Sequence, residues 1–295
     1  ALMPELPEVE TVARQLRPHL VGRRLGAVHV SWPRTLGDIT PRRFAAAVRG
    51  TRVHSVGRRA KFVLIDLARG RQAVGRLLVH LRMTGRLSVE RAGSDPGRWE
   101  RLSIELDGRR ELRFVDPRKF GRVLFRAGPA RELDSLGPEP LEADFDLASF
   151  AAALAARRRQ LKPLLLDQTF VAGLGNIYVD ESLHRAGLHP LVLSDRLAAP
   201  AVERLHEAIR SVLAEAIERE GSSFDVFYRT PEGQPGSYQD RFQVYGRDGQ
   251  PCRTCGATIQ ALRVGQRGTH VCPRCQPRRG AGVRRKRPSA TSRGP

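Results

Sequence analysis

The residues best suited to chemistry lie toward the two ends of the chain. Near the start runs Pro4-Glu-Leu-Pro-Glu-Val-Glu10. A proline with a free N-terminal nitrogen is a secondary amine. Attack of that amine on a sugar aldehyde carbon gives a charged iminium, an electron sink comparable to a lysine Schiff base. An α-amine has a pKa near ~8, so much of it is neutral and nucleophilic at physiological pH without deep burial. Glu5 beside it can relay protons, and Glu8 can add negative charge or anchor the turn. On spacing alone, the same residues also serve as an ordinary helix start. An internal proline nitrogen is a tertiary amide with no nucleophilic lone pair. Here Ala1 to Met3 precede Pro4, so this chemistry is open to Pro4 only where those residues are absent.

Near the other end, all four cysteines fall in Cys252-x2-Cys255-x16-Cys272-x2-Cys275. Two such knuckles at this separation fit tetrahedral zinc. Two disulfides are the alternative, and they suit an oxidising compartment better than this chain does. Four thiolates leave no open position for substrate, so one structural zinc ion is expected. Gly256 lets the first turn close, and Pro251 and Pro273 stiffen the approaches. The segment from Leu262 to Val271 reads as a β-hairpin with Gly265-Gln-Arg-Gly268 at its tip. Arg267 there is placed to reach a phosphate, or is an ordinary exposed arginine.

Lysine is scarce. Of 51 basic residues only Lys61, Lys119, Lys162 and Lys286 are lysine. A G+C-rich genome produces this bias. Lysine nonetheless gives up a proton when buried or crowded, and arginine does not. The contrast nominates Lys61 and Lys162 over Lys286 in the tail.

These groups need elements to hold them. Val9, Val12, Ala13 and Leu16 share one helical face, and Pro7, Glu8 and Glu10 suit a helix start. Pro4 and Glu5 thus fall just outside a helix N-terminus. From Leu25 to about Phe125, short apolar runs such as Lys61–Leu67, Gly75–His80 and Glu111–Val115 predict an antiparallel sandwich or barrel. Thr40 and Pro41 open a short helix through Phe44 to Val48, ending near Gly50. From Leu136 the pattern turns helical. Asp146 caps a helix to Arg159, Asn176 caps one ending at Gly187, and a third runs from Ala201 to Gly221. Gly221 to Arg241 is turn-rich, and loops of that length are functional or disordered. The tail from Pro277 is Arg/Gly/Pro/Ser-rich and is expected to be disordered. Its Arg284-Arg-Lys-Arg287 run can add nonspecific attraction to DNA, or be a plain solvated tail. The fold class is α+β and multi-domain.

The 295 residues carry a formal charge of +20 and 40% hydrophobic content. A real core can form, and the excess charge points to a polyanionic partner. Nucleic acid is the first candidate and an anionic membrane surface the second. No apolar run reaches ~18 residues and no signal-peptide pattern is present, so a soluble, intracellular protein is expected.

Taken together, the motifs resemble the formamidopyrimidine-DNA glycosylase family of bacterial oxidised-purine repair enzymes. The resemblance is carried by Pro4–Glu10, Arg58-Arg-Ala-Lys61, His80-Leu-Arg-Met-Thr-Gly85, Asp116-Pro-Arg-Lys-Phe-Gly121 and Leu136-Gly-Pro-Glu-Pro140. It continues through Gly173-Leu-Gly-Asn-Ile-Tyr178, Tyr245-Gly-Arg247 and the cysteine module, in the family's order. It implies an N-terminal β-sandwich catalytic domain with a leading helix over 4–135. A helix-two-turn-helix domain with a lesion-capping loop over 136–245, a zinc finger over 246–277 and a disordered basic tail over 278–295 would follow.

The resemblance further implies a bifunctional glycosylase and abasic-site lyase. Such an enzyme flips a damaged nucleotide out of duplex DNA and excises 8-oxoguanine and formamidopyrimidines by β,δ-elimination. Pro4 would be the nucleophile, Glu5 the general acid/base, and Lys61 a proton-transfer or phosphate-contacting lysine. Met83, Arg118 and Phe120 would fill the gap and probe the opposite strand. His80 would touch the DNA backbone, or be satisfied within the fold. Asn176 would grip a phosphate, and Arg267 would contact phosphates and assist δ-elimination. Arg158 falls roughly where the family has a lysine implicated in DNA or lesion contact. The loop from Ser222 to Gln239 matches the segment that closes over an extruded purine. The family's histidine before the Asp-Pro-Arg motif has no counterpart in Gly97-Arg-Trp-Glu100. The expected partner is double-stranded DNA carrying an oxidised base, bound by a monomer in the bacterial cytoplasm at the nucleoid, without a membrane. The alternatives are an endonuclease VIII-like glycosylase for oxidised pyrimidines, disfavoured by Leu6 and the long loop, or a non-catalytic lesion-binding protein if Pro4 is blocked.

Overall fold

In the computed structural model, the described residues are 3–223 and 228–278. Ala1, Leu2, the loop segment Phe224–Phe227 and the tail beyond Arg278 lie outside the described residues, so the expectations placed on them are not addressed by the fold. The chain divides into two units. One comprises Ala1–Glu142, Asp167–Gly175 and Leu213–Phe242; the other comprises Ala143–Leu166, Asn176–Val212 and Gln243–Pro295.

The first unit opens with helix α1 (Leu6–Leu20), for which Glu5 is the N-cap and Pro7 sits in the first turn. Its predicted apolar face is fully buried. Strand β1 (Leu25–Val30) and helix α2 (Pro41–Val48) follow. The Thr40 side chain accepts from the Arg43 N–H at the start of α2, a cap worth about 1 kcal/mol. Strands β2 (Arg52–Arg59), β3 (Phe62–Arg69), β4 (Gln72–His80), β5 (Arg86–Arg91), β6 (Glu100–Leu106), β7 (Arg110–Val115) and β8 (Arg122–Arg126) complete two four-stranded antiparallel sheets, in the orders β1-β6-β7-β5 and β2-β3-β4-β8.

Alternation along β3 buries Val63, Ile65 and Leu67. They join Leu77 and Val79 of β4, Leu102 and Ile104 of β6, Leu112 and Phe114 of β7 and the apolar face of α1 in one core. The sandwich predicted from the sequence is thus formed, with α1 completing its core. Lys61 is not in a strand, however. β2 and β3 pair up to Arg59↔Phe62, which leaves Ala60 (φ +51°) and Lys61 as the two-residue turn. A short helix α3 (Arg131–Asp134) follows β8.

In the second unit, α4 (Leu147–Ala155) starts as predicted, with the Asp146 carboxylate accepting from Ser149 N. It stops at Ala155, short of the expected Arg159. Gln160 forms a bridge with Leu193, and the Ser194 hydroxyl donates to the Arg157 carbonyl, so this tertiary pairing pulls Arg157–Arg159 out of the helix. Helices α5 (Leu161–Leu165) and α6 (Asn176–Ala186) follow; α7 (Ala199–Glu218) begins in this unit, and its residues from Leu213 on belong to the first. α7 ends where Gly221 N donates to the Ala216 carbonyl and Glu220 N to the Ile217 carbonyl, the paired bonds that close a helix C-terminus. Strands β9 (Gln260–Val264) and β10 (Arg267–Val271) form the predicted hairpin. Its tip is two residues, Gly265 and Gln266, both at positive φ. Arg267 therefore begins the second strand opposite Val264, rather than sitting in the turn. Among the described residues, no helix is long and apolar enough to cross a membrane.

Candidate functional site

Pro4 and Glu5 are both buried. Glu5 forms a reciprocal capping box with Glu8, whose carboxylate accepts from Glu5 N at 2.9 Å. Glu8 also accepts from Ser222 N at 2.7 Å. The positive end of α1 favours carboxylates at this position. Gly173-Leu-Gly175 wraps the same helix start. Leu6 N donates to the Gly173 carbonyl at 3.0 Å, and a Cβ on Gly175 would collide with the Glu5 carboxyl. The two glycines of that motif are therefore steric requirements of the Pro4–Glu5 corner.

Lys61 is 6% exposed. Its turn is held by Glu139 of the Leu136–Pro140 motif. The Glu139 carboxylate accepts from Arg58 at 2.7 Å, from Arg59 at 2.8 Å and from the Ala60 N–H. Arg58 also donates to Glu10 on α1 at 2.9 Å. A buried carboxylate with several charge-assisted partners is costly to break, typically ~3–5 kcal/mol when one partner is removed. Two motifs far apart in sequence thus fix one turn. Sequence reading missed Glu139; the only available signal was its place in a motif rich in Gly and Pro.

His80 pairs with Phe62 across β3 and β4, and their rings meet edge-to-face at 4.8 Å. Its Nδ1 accepts from Arg82 N at 3.1 Å. Burial, then the nearby Arg82 and Lys61 cations, push its pKa down to about 3. The ring is neutral near pH ~7 and is satisfied in part within the fold.

Met83, Arg118 and Phe120 are brought together by the buried carboxylate of Asp116. It accepts from the Thr84 hydroxyl, from Arg118 N at 3.2 Å and from Gly121 N at 2.7 Å. This ties the Met83 loop to the Asp116–Gly121 loop. Phe120 is 48% exposed, and the Arg118 guanidinium lies 5.0 Å from its ring centre. Lys119, at φ +63°, places its ammonium 4.1 Å from the Trp32 ring centre. An exposed phenylalanine on a loop pinned by a buried carboxylate is suited to insertion between stacked bases.

In the second unit, Asn176 is the first residue of α6 rather than a cap outside it. Its Nδ2 donates to the Gly268 carbonyl at 3.0 Å and to the Tyr245 hydroxyl at 3.3 Å. Lys162 is completely buried; its Nζ donates to Asp180 at 2.6 Å and to the same Gly268 carbonyl at 2.9 Å. Asp180 also accepts from His270 N at 2.9 Å. Lys162 is therefore an internal anchor for the strand that carries the exposed Arg267. Glu181, on the next position of α6, accepts from Gln243, Val244 and Tyr245 backbone N–H groups. Burial raises its pKa, and those three bonds oppose the rise. Arg158 stands exposed on the link between α4 and α5.

The four cysteine Sγ atoms lie within 4.8 Å of one another. Cys252–Cys275 and Cys255–Cys272 are separated by 3.9 and 3.4 Å, far beyond a bonded S–S distance of ~2.05 Å. Tetrahedral zinc with Zn–S bonds of ~2.3 Å needs sulfurs about 3.8 Å apart. Burial and the neighbouring sulfurs push the Cys275 thiol up, a conflict that a dication among four thiolates removes. The donor set fits one structural zinc.

Known proteins resemble this chain along most of its length. The formamidopyrimidine-DNA glycosylase N-terminal domain matches residues 3–123, its H2TH domain matches 136–228, and a zinc finger found in FPG and IleRS matches 249–278. The formamidopyrimidine-DNA glycosylase of Herpetosiphon aurantiacus is 46% identical over 277 residues, covering 93% of this chain and 100% of that protein. That of Chloroflexus aurantiacus is 46% identical over 278 residues, covering 93% and 98%. Among solved structures, the MutM (Fpg) protein of Thermus thermophilus is similar with a TM-score of 0.82 and 43% identity, covering 92% of this chain and 98% of that one. A Lactococcus lactis Fpg mutant in complex with Fapy-dG-containing DNA gives a TM-score of 0.86 at 35% identity, covering 93% and 100%.

Proposed function

Because the chain belongs to the formamidopyrimidine-DNA glycosylase family of DNA-binding, zinc-containing glycosylases, we propose that it excises oxidised purines, 8-oxoguanine and formamidopyrimidines, from duplex DNA and then cleaves the abasic strand. The nucleophile is the amine of Pro4, freed by loss of Ala1 to Met3. It attacks the sugar C1′ as the bond to the damaged base breaks. Glu5 delivers the proton that opens the sugar ring at O4′. The resulting iminium acidifies the C2′ proton; its removal expels the 3′-phosphate, and a second elimination expels the 5′-phosphate. Lys61 moves protons or contacts phosphate beside this centre, and Arg267 assists the second elimination.

Asn176, His80 and Arg158 hold the DNA backbone, and Met83, Arg118 and Phe120 occupy the vacated space and probe the opposite strand. The domains follow the boundaries 4–135, 136–245 and 246–277, and the enzyme acts as a monomer at the nucleoid. The observation that carries this reading is the Pro4–Glu5 corner. Glu5 sits at the positive end of α1, and Gly175 is required to be glycine by the Glu5 carboxyl itself.

The test is borohydride trapping on a duplex containing 8-oxoguanine, using protein that begins at Pro4. A covalent adduct is expected, and it should be absent from Pro4→Gly and from protein retaining Ala-Leu-Met. Tight binding with no adduct in any form would overturn the catalytic reading. Faster excision of thymine glycol than of 8-oxoguanine would assign the chain to oxidised pyrimidines instead.

A further inference from the structure

The segment Gly97–Arg101 sets an exposed tryptophan between two arginines. We propose that Trp99 and Arg98, braced from beneath by the buried Arg101, form a DNA-contact platform beside the Phe120 loop. In this arrangement the indole packs on the sugar and base of one nucleotide, while Arg98 neutralises the adjoining phosphate. The inference rests on the DNA-binding reading above and adds a contact that the reading does not contain.

Trp99 is 40% exposed, one of four large apolar side chains so open among the described residues, and Phe120 is another. The two are joined through the backbone. The Trp99 carbonyl accepts from Asp116 N at 2.9 Å, at the start of the loop that Asp116 pins around Arg118 and Phe120. The indole is flanked by cations. The Arg98 guanidinium lies 4.5 Å from its ring centre and that of Arg101 5.9 Å. Arg101 is 7% exposed. Its Nε donates to the Asp116 carbonyl at 2.8 Å, and its buried Nη2 has no hydrogen-bond partner among the described residues.

Neither carboxylate of the segment pairs with Arg98 or Arg101 in an ion pair among the described residues. Asp95 accepts from Gly97 N at 2.9 Å, and Glu100 lies 3.2 Å from Arg113. The surface therefore presents an apolar π-face with the Arg98 guanidinium beside it. A nucleotide offers the complement, with a flat or apolar sugar–base face next to a phosphate. An acidic protein would meet the charge but would leave the indole without a stacking partner.

The chain has two tryptophans, so Trp32→Phe makes Trp99 the only reporter. Phenylalanine keeps an aromatic face for Lys119. The protein is titrated with duplex containing a tetrahydrofuran abasic analogue, and anisotropy of the labelled DNA is followed in parallel. Trp99 emission should be quenched, and its accessibility to acrylamide should fall, as anisotropy saturates. In the otherwise native protein, Trp99→Ala should weaken binding on the order of tenfold, with Trp99→Phe retaining most of the affinity. Arg98→Ala should reduce the slope of log K against log salt by about one. Zinc content and thermal unfolding establish that each variant is folded.

Saturating anisotropy with unchanged Trp99 emission and accessibility would overturn the platform and leave the DNA-binding reading intact. So would parent-like affinity in Trp99→Ala. Failure of the unsubstituted protein to bind the duplex would overturn both.

Discussion

His80 illustrates how neighbours decide what a side chain can do. It was legible from the sequence as a motif residue, but its protonation state was not. The histidine lies beneath Phe62 and close to two cations, so its folded-state pKa falls from 6.5 to about 3. As pH drops, the unfolded chain takes up this proton first. The stability contributed by neutral His80 is therefore present above about 6.5 and is lost as pH falls toward about 3. By a pH of ~5 the loss from this single group is about 2 kcal/mol. His80→Asn keeps an acceptor for the Arg82 N–H and cannot titrate. Urea unfolding at neutral pH and at about pH 5 should therefore show a smaller acid loss in the variant than in the parent. Equal losses would mean that other groups control the acid limb.

At the scale of elements, the sequence carried whatever depends on neighbours along the chain. The apolar stripe of α1, the Thr40 and Asp146 caps, the alternation in β3 and the two cysteine knuckles are all local signals, and each is found in the structure. What was not legible depends on partners distant in sequence. Gln160 pairing with Leu193 ends α4 early, and Glu139 fixes the Lys61 turn from 78 residues away, a separation no periodicity encodes. Lys162 is the same kind of case. Its scarcity flagged it, but only the fold shows that it joins α5, α6 and β10 through Asp180 and the Gly268 carbonyl. Lys162→Met leaves the buried Asp180 carboxylate without its ammonium partner. It should cost ~3–5 kcal/mol in urea unfolding, and part of that loss should return in Lys162→Met/Asp180→Leu, because the pair is non-additive. A single-substitution cost under about 1 kcal/mol would show that the ion pair is not the anchor of β10.

For the molecule as a whole, the charge of +20 was the most accessible feature of the sequence, and its consequence is thermodynamic. Each arginine or lysine that neutralises a DNA phosphate releases condensed counterions, so affinity must fall as salt rises. With ~6–10 such contacts the fall between ~50 and ~200 mM salt is about 10³- to 10⁵-fold. The zinc hairpin should account for part of this slope. Arg267 is exposed at the start of β10, while Lys162 and Asn176 both hold the next carbonyl, at Gly268. Cys272→Ser removes one of four thiolates and should release the zinc, lowering both affinity and the steepness of the salt response. Arg267→Ala, with zinc retained, should lower the slope by about one and leave thermal stability nearly unchanged. Fluorescence anisotropy over a salt series, paired with zinc determination, measures both. A flat salt response would refute the phosphate-contact reading of the basic charge. Unchanged zinc stoichiometry in Cys272→Ser would refute the four-thiolate site. An unchanged slope in Arg267→Ala would place the DNA contacts of this unit away from the hairpin.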